Sequence, residues 1–370
     1  MSGARGSRKK WWWIGGAIAL IIIIAAAVGG TLAAKNSSSS KGSNTAGVVK
    51  TSGNDPSSFT KDPRLKQSFY SMCYTPFHAQ YPACGAVQSN VTEDIQLLSQ
   101  LTTRLRLYGA DCGVSEMVLT AIEETKVNMT VWLALWVDDN AETWQRQLST
   151  TQDVLKKHGV DHVEGLIVGN EYILNGGSVA TLLEKITQVK TWVSGQNYAK
   201  TVPIATADAG SMITTELAQG VDVVMANVHA WFAGTLVSDA AGWTWDYTNN
   251  NDPGIAVAAA TNKPDLWIAE TGWPTNANDT ASLTLQGAQA GTAELQTFLD
   301  TFVCQANANV TADATAVAAG TPVTVYNKYA FFEAFDETWK SIYGGVEPYW
   351  GLFDANKQLK NVTIPDCASV

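Results

Sequence analysis

The sequence predicts an α/β fold, a single (β/α)8 TIM barrel preceded by an N-terminal transmembrane anchor and a disordered linker. Three observations carry that prediction. From residue 63 onward, eight short runs rich in β-forming residues recur. Amphipathic segments of helical length separate them, such as AETWQRQLSTTQDVLKKHG at 141–159. The runs are apolar almost throughout, as strands are when helices cover both faces of a parallel sheet. A doubly wound sheet is the competing arrangement, and eight successive units fit a closed ring better.

Residues 1–10, MSGARGSRKK, are basic and read as a cytoplasmic tail. Residues 11–34, WWWIGGAIALIIIIAAAVGGTLAA, carry no charge and are long enough to cross a ~30 Å hydrocarbon core as a helix. This is the expected transmembrane signal-anchor, single-pass and type II, which leaves the rest of the chain outside the cell membrane. A cleaved signal peptide, with secretion, is the alternative, although its apolar stretch is ordinarily about 7–15 residues. Residues 35–62 are rich in Ser, Gly and Asn and hold too little apolar surface to fold, so they read as a disordered tether. The catalytic domain is then expected over 63–370.

Export has further support. N-x-S/T sequons stand at Asn36, Asn90, Asn128, Asn278, Asn309 and Asn361, all beyond the apolar segment. Five cysteines suit an oxidising compartment, with two disulfides and one thiol left over. Cys84 and Cys112 follow the first two strands and Cys304 could pin Cys367 to a late helix, which leaves Cys73 unpaired; other connectivities remain open. The cysteines lack zinc-site spacing, and His78, His158, His162 and His229 do not cluster with them, so no metal and no cofactor is expected. The net charge of −10, with four of the bases ahead of residue 11, excludes nucleic acid as a partner. Nothing in the sequence calls for an obligate protein partner.

The candidate strands, in order, are 68–77, 103–109, 129–137, 162–172, 202–209, 221–232, 264–274 and 327–336. A helix between the first two is expected to open at Thr92, and the one over 141–159 to stop at Gly159. In such barrels the active site lies at the C-terminal ends of the strands. Polar residues collect there: Tyr74, Tyr108, Asp111, Asn170, Glu171, Asn227, His229, Glu270, Glu333 and Glu337, with Lys340 just after. Glu171 and Glu270 stand out because each ends an apolar run, at the rim of a poorly solvated core. A desolvated carboxyl beside a second one keeps its proton near neutrality while its partner stays ionised. That division of labour suits glycosidic bond cleavage, in which one group protonates the leaving oxygen and the other attacks the anomeric carbon or activates water.

The motifs LRLYGADC, IVGNEYI, NVHAWF, WIAETGWPT, FFEAFDETWK and WGLFD, in this order, resemble the fungal branch of glycoside hydrolase family seventeen. Within it, the membrane-anchored glucan endo-1,3-beta-glucosidases of the fungal cell wall are the nearest likeness. The resemblance implies a retaining enzyme acting on β-1,3-glucan, with Glu171 as acid/base and Glu270 as nucleophile. It also implies that Asn170 holds the 2-hydroxyl of the reacting sugar, that Tyr108 orients the nucleophile, and that Glu337 and Lys340 form a supporting charged pair. Tyr74, Asn227, His229, Trp273 and Phe335 complete the candidate substrate contacts, Trp273 as a stacking platform. Trp132 and Trp136 lie inside a strand and read as core, whereas Phe232 could serve either purpose. Ala230 and Thr338 replace prolines usual in the family's pattern, which touches subsite shape and leaves the chemistry intact. A transglycosylase would use the same residues, and a wall-binding protein without catalysis would not need the glutamate pair.

Overall fold

Eight parallel strands close into a barrel in a computed structural model that describes residues 48–50, 55–321 and 325–368. They are β1 (Met72–Cys73), β2 (Arg104–Arg106), β3 (Thr130–Leu135), β4 (Val163–Asn170), β5 (Ile204–Ala209), β6 (Val223–Asn227), β7 (Asp265–Thr271) and β8 (Tyr329–Phe331). Each pairs with the next, and Phe331 opposite Met72 closes the ring. The connecting helices are α1 (Gln88–Leu98), α2 (Val114–Thr125), α3 (Ala141–His158), α4 (Val179–Ser194), α5 (Thr215–Gln219), α6 (Val237–Asn250), α7 (Asp252–Ala259) and α8 (Thr292–Ala318). After β8 the described chain makes only two short 3-10 turns, Thr338–Tyr343 and Glu347–Tyr349. The expected (β/α)8 architecture is therefore present, with strands shorter than the apolar runs that announced them.

Burial explains the strand composition. In β3 every residue from Val131 to Leu135 is buried, because one set of side chains meets the helices and the other fills the ring. Trp132 of β3 meets Trp267 of β7 edge-on at 5.5 Å. These strands are not neighbours, so the contact spans the barrel interior. Tyr70 packs against the same Trp267 at 5.1 Å.

Local signals set the helix ends. Asn140 caps α3 by accepting from the Glu142 amide, Ser178 caps α4 by accepting from Thr181, and Gly159 ends α3 in a left-handed conformation at φ +69°. The expected start at Thr92 is not observed: α1 begins four residues earlier, with no side-chain cap on Val87. Packing decides this, since Val91, Ile95 and Leu98 bury one stripe and draw the preceding turn into the helix.

Residues 55–62, which composition assigns to the linker, carry structure. Val48–Lys50 pairs antiparallel with Phe59–Lys61. The Asp62 amide donates to Gln100 Oε1 at 2.7 Å, and Gln96 Nε2 donates to the Pro56 carbonyl at 2.7 Å. A polar segment too poor in apolar residues to build a core can still dock by hydrogen bonds on a preformed helix. The tail at 1–10 and the apolar span at 11–34 lie outside the described residues. Among the described residues, no helix is long and apolar enough to cross a membrane.

Two disulfides follow the pairing read from the sequence. Cys84–Cys112 joins the segments after β1 and β2, Cys304–Cys367 ties the tail to α8, and Cys73 stays free and buried. The tail is held at the entry to β1, where Ser68 Oγ donates to the Pro365 carbonyl at 2.6 Å and accepts from the Cys367 amide at 3.2 Å.

Candidate active site

The mouth is organised around a residue that the strand pattern passes over. Arg106 ends β2 on the inward-facing register and is 1% exposed. One of its amino groups pairs with Glu270 Oε1, and the other donates to Asn170 Oδ1 at 2.6 Å. Its guanidinium lies over the Tyr108 ring, 4.3 Å from the centroid. Tyr108 thus acts on the carboxylate through Arg106. Burial alone would raise the Glu270 pKa, but Arg106, helped by His229, outweighs it and holds the carboxyl at about 2. His229 Nε2 stands 3.2 Å from Glu270 Oε2.

Glu171 has the opposite bias. It follows β4 with φ +53°, a left-handed conformation uncommon for a residue with a side chain, and Gly169 two places earlier takes φ +81°. This turn replaces continued extension and lifts the Glu171 carboxyl into the mouth. Burial first, then repulsion from Glu270, push its pKa up to about 7 against a hydrogen bond from Asn227. Asn227 Nδ2 reaches Glu171 Oε1 at 3.0 Å and Asn170 Oδ1 at 3.3 Å. Asn227 also stands opposite Glu270 in the β6–β7 register. The polar web therefore ties β2, β4, β6 and β7 together at one level of the barrel. Asn227 Oδ1 and His229 Nδ1 are buried within it without a protein partner.

A second charged group borders the first. Lys340 Nζ pairs with Glu337 and lies 3.0 Å from Glu333 Oε1. Burial alone would lower the Lys340 pKa, and the two carboxylates raise it instead. Burial and the Glu337 charge push Glu333 well above the usual carboxylate range in spite of Lys340. Gly272, just past Glu270, lets β7 approach the β8 end closely: a Cβ there would meet the Phe332 carbonyl oxygen at 1.9 Å.

Four predicted residues thus converge with Glu171 and Glu270: Asn170, Tyr108, Asn227 and His229; two more, Glu337 and Lys340, pair with each other in the adjoining charged group. Three others do not belong to the mouth surface. Trp273 is fully buried, edge-on to Trp231 at 5.6 Å, with its indole N–H on the Gln289 carbonyl, so no sugar can stack on it. Phe335 is buried between Tyr74, Phe77 and Phe353. Tyr74 is likewise buried, and its hydroxyl donates to Asp94 Oδ2 at 2.8 Å. In each case the chain has left its strand and the side chain turns into packed structure instead of lining the mouth. Trp132 is core as read, but Trp136 is 38% exposed because β3 ends at Leu135 and leaves it on the rim. Phe232 is also 38% exposed and meets the His229 ring at 5.8 Å. Asp111, left open in the sequence, pairs with Arg146 at 2.7 Å.

Arg106 is the residue of this polar web that the strand pattern misses. It was legible in TRLRLYG, since a base facing the inside of a barrel requires a carboxylate there. Among the described residues, no group of three His, Cys, Asp or Glu side chains could hold a metal ion.

Residues 71–351 match the BtgE/BtgC glycoside hydrolase domain. The glucan endo-1,3-beta-glucosidase btgC of Emericella nidulans is 36% identical over 351 residues, covering 88% of this chain and 50% of that protein. A "probable glucan endo-1,3-beta-glucosidase btgC" of Aspergillus terreus is 39% identical over 348 residues, covering 87% and 49%. The chain spans about half the length of these curated relatives. Among solved structures, the glycoside hydrolase family 17 beta-1,3-glucanosyltransferase from Rhizomucor miehei superposes with a TM-score of 0.63 at 22% identity, over 82% of this chain and 100% of that one. An endo-laminarinase from Formosa Hel1_33_131 gives 0.59 at 17% identity, over 78% and 84%. At such identities the likeness shows the barrel alone. The domain match runs from β1 to beyond β8 and takes in both Glu171 and Glu270, so the chain belongs to the BtgE/BtgC glycoside hydrolase family.

Proposed function

We propose that this domain is a retaining endo-β-1,3-glucanase that hydrolyses β-1,3-glucan of the fungal cell wall through a covalent glycosyl-enzyme. One observation carries the reading: two carboxyls at the barrel mouth, joined by Arg106, Asn170 and Asn227, have pKa values driven apart to about 7 and about 2. At mildly acidic pH, Glu171 then holds a proton and Glu270 does not. Ionised Glu270 attacks the anomeric carbon as the bond to the leaving oxygen breaks, and the Glu171 proton passes to that oxygen. In the second half, Glu171 takes a proton from water, the hydroxide oxygen bonds to the anomeric carbon, and the ester to Glu270 breaks. Two inversions leave the β configuration unchanged.

The surrounding groups support the same assignment. Phe232 and Trp136 offer exposed rings at the rim. Asn170, oriented by Arg106, is the group for the 2-hydroxyl. The basic tail and charge-free run at 1–34, the sequons and the disulfides support a domain anchored in the cell membrane and facing the wall.

The test is incubation of the full chain in mild detergent with linear β-1,3-gluco-oligosaccharides, followed by mass spectrometry and anomeric NMR, beside Glu270→Ala. Shorter products of β configuration, absent with the variant, are expected. Products longer than the starting material would make the domain a transglycosylase. Binding without turnover would make it a glucan-binding wall protein.

A further inference from the structure

Asp208 lies near the end of β5, fully buried, and touches no group of the polar web directly. Its carboxylate accepts from three backbone N–H groups: Ile173 at 2.8 Å, Leu174 at 3.2 Å and Ala209 at 2.9 Å. Ile173 and Leu174 are the second and third residues after Glu171. We propose that Asp208 is a positioning residue, which holds Glu171 in its working conformation by fixing the turn that follows it. The proposal rests on the reading of Glu171 as the acid/base given above.

The left-handed backbone at Glu171 needs such a restraint. A residue with a side chain is strained in that conformation and persists there only where its surroundings over-determine it. On one side, the Glu171 amide donates to the Ala207 carbonyl at 3.0 Å, within β5 itself. On the other, Asp208 captures two consecutive amides, and the Asn175 amide and side chain both return to the Glu171 carbonyl, at 3.0 and 2.7 Å. Residues 207 and 208 of β5 therefore hold the strained residue from both sides.

A neutral acceptor could staple a turn equally well, so the choice of a charged one needs a reason. No Lys, Arg or His pairs with Asp208 among the described residues, and burial pushes its pKa up to about 6 even against three amide donors. The charge is retained at a desolvation cost, and its nearest beneficiary is Glu171. The ionisable groups facing Glu171 are Glu270 from β7 and Asp208 from β5, which raise its pKa, and Arg106 from β2, which lowers it; neutral Asn227 comes from β6. Ionised Asp208 thus helps keep the proton on Glu171 as the pH approaches neutrality.

The experiment compares wild type, Glu171→Gln and Asp208→Asn, measuring kcat and KM on a β-1,3-gluco-oligosaccharide across the pH range. Asp208→Asn is expected to lower kcat about 10–100-fold with KM within about twofold. Its alkaline limb should move to lower pH by about half a unit, because a negative charge has been removed beside an acid that must be protonated. An unmoved limb, or an unchanged kcat, overturns the proposal. Wild type without Glu171-dependent turnover would sink the underlying reading instead. In that case the Glu171 side-chain carbon signal decides, since its titration midpoint should still fall in Asp208→Asn. Should that variant not fold, the Ile173 and Leu174 amide resonances of wild type serve: they are expected to shift with the Asp208 carboxyl, and resonances that stay flat through its titration overturn the proposal.

Discussion

Arg106 and Glu270 form an ion pair inside the barrel, with side chains only 1% and 7% exposed. A buried pair of this kind contributes little net stability, because desolvation offsets most of the attraction. Its value lies in what it fixes. The guanidinium keeps Glu270 ionised and, through its second amino group, aims Asn170. Arg106→Met is expected to abolish turnover, by about 1,000-fold or more, and to lower stability by about 3–5 kcal/mol through the charge left unpaired. Kinetics beside a melting curve check both, and a variant that keeps wild-type kcat contradicts the assignment.

Catalysis should fade as pH rises through about 7, where Glu171 loses its proton. Stability follows the same group. Its folded pKa lies above the unfolded value, so the folded state binds the proton more tightly, and this contribution is complete below the ordinary carboxylate range and lost as pH climbs to about 7. Glu270 behaves oppositely, its contribution being lost as pH falls toward about 2. Glu171→Gln should therefore be more stable than wild type above neutrality, by about 1–2 kcal/mol given that the mouth leaves Glu171 partly open to water, and equal to it in acid. Melting temperatures at the two pH values check this.

Trp273 and Phe232 separate core from subsite. Trp273→Ala should cost about 3–5 kcal/mol of stability, with KM little changed for the protein that folds. Phe232→Ala should leave the melting temperature alone and raise KM about fivefold through a lost stacking surface. The reverse outcome would restore Trp273 as a platform.

Removing the Cys304–Cys367 bridge by a double Ala substitution should cost about 2–4 kcal/mol by freeing the unfolded chain between them. The pH profile of turnover should not move, since the bridge lies at the closed end of the barrel. A shifted profile would mean that the tail communicates with the mouth.

The ring, the two glutamates and the disulfide pairing were legible because each leaves a one-dimensional trace: apolar periodicity, a carboxylate ending an apolar run, cysteines placed beside strand ends. Strand length was not legible. Apolar runs continue past the last ladder hydrogen bond, so Tyr74, Trp273 and Phe335 looked like mouth residues and proved to be packing. Trp136 erred the other way, one residue beyond the end of β3. Asp208 was hidden for another reason: its partners are backbone amides from the preceding βα turn, which no side-chain pattern records.

The way the chain enters the barrel fixes its polarity. Pro56 and Asp62 are bound near the end of α1, and Gln67 donates to the Ser99 carbonyl at 2.9 Å, all beside the point where Ser68 holds the C-terminal tail. Both ends of the domain thus form a handle at the floor of the barrel, opposite the glutamates. An attachment made through either end of the described domain, at residue 55 or at residue 368, therefore meets it at the floor and leaves the glutamate face of the barrel uncovered.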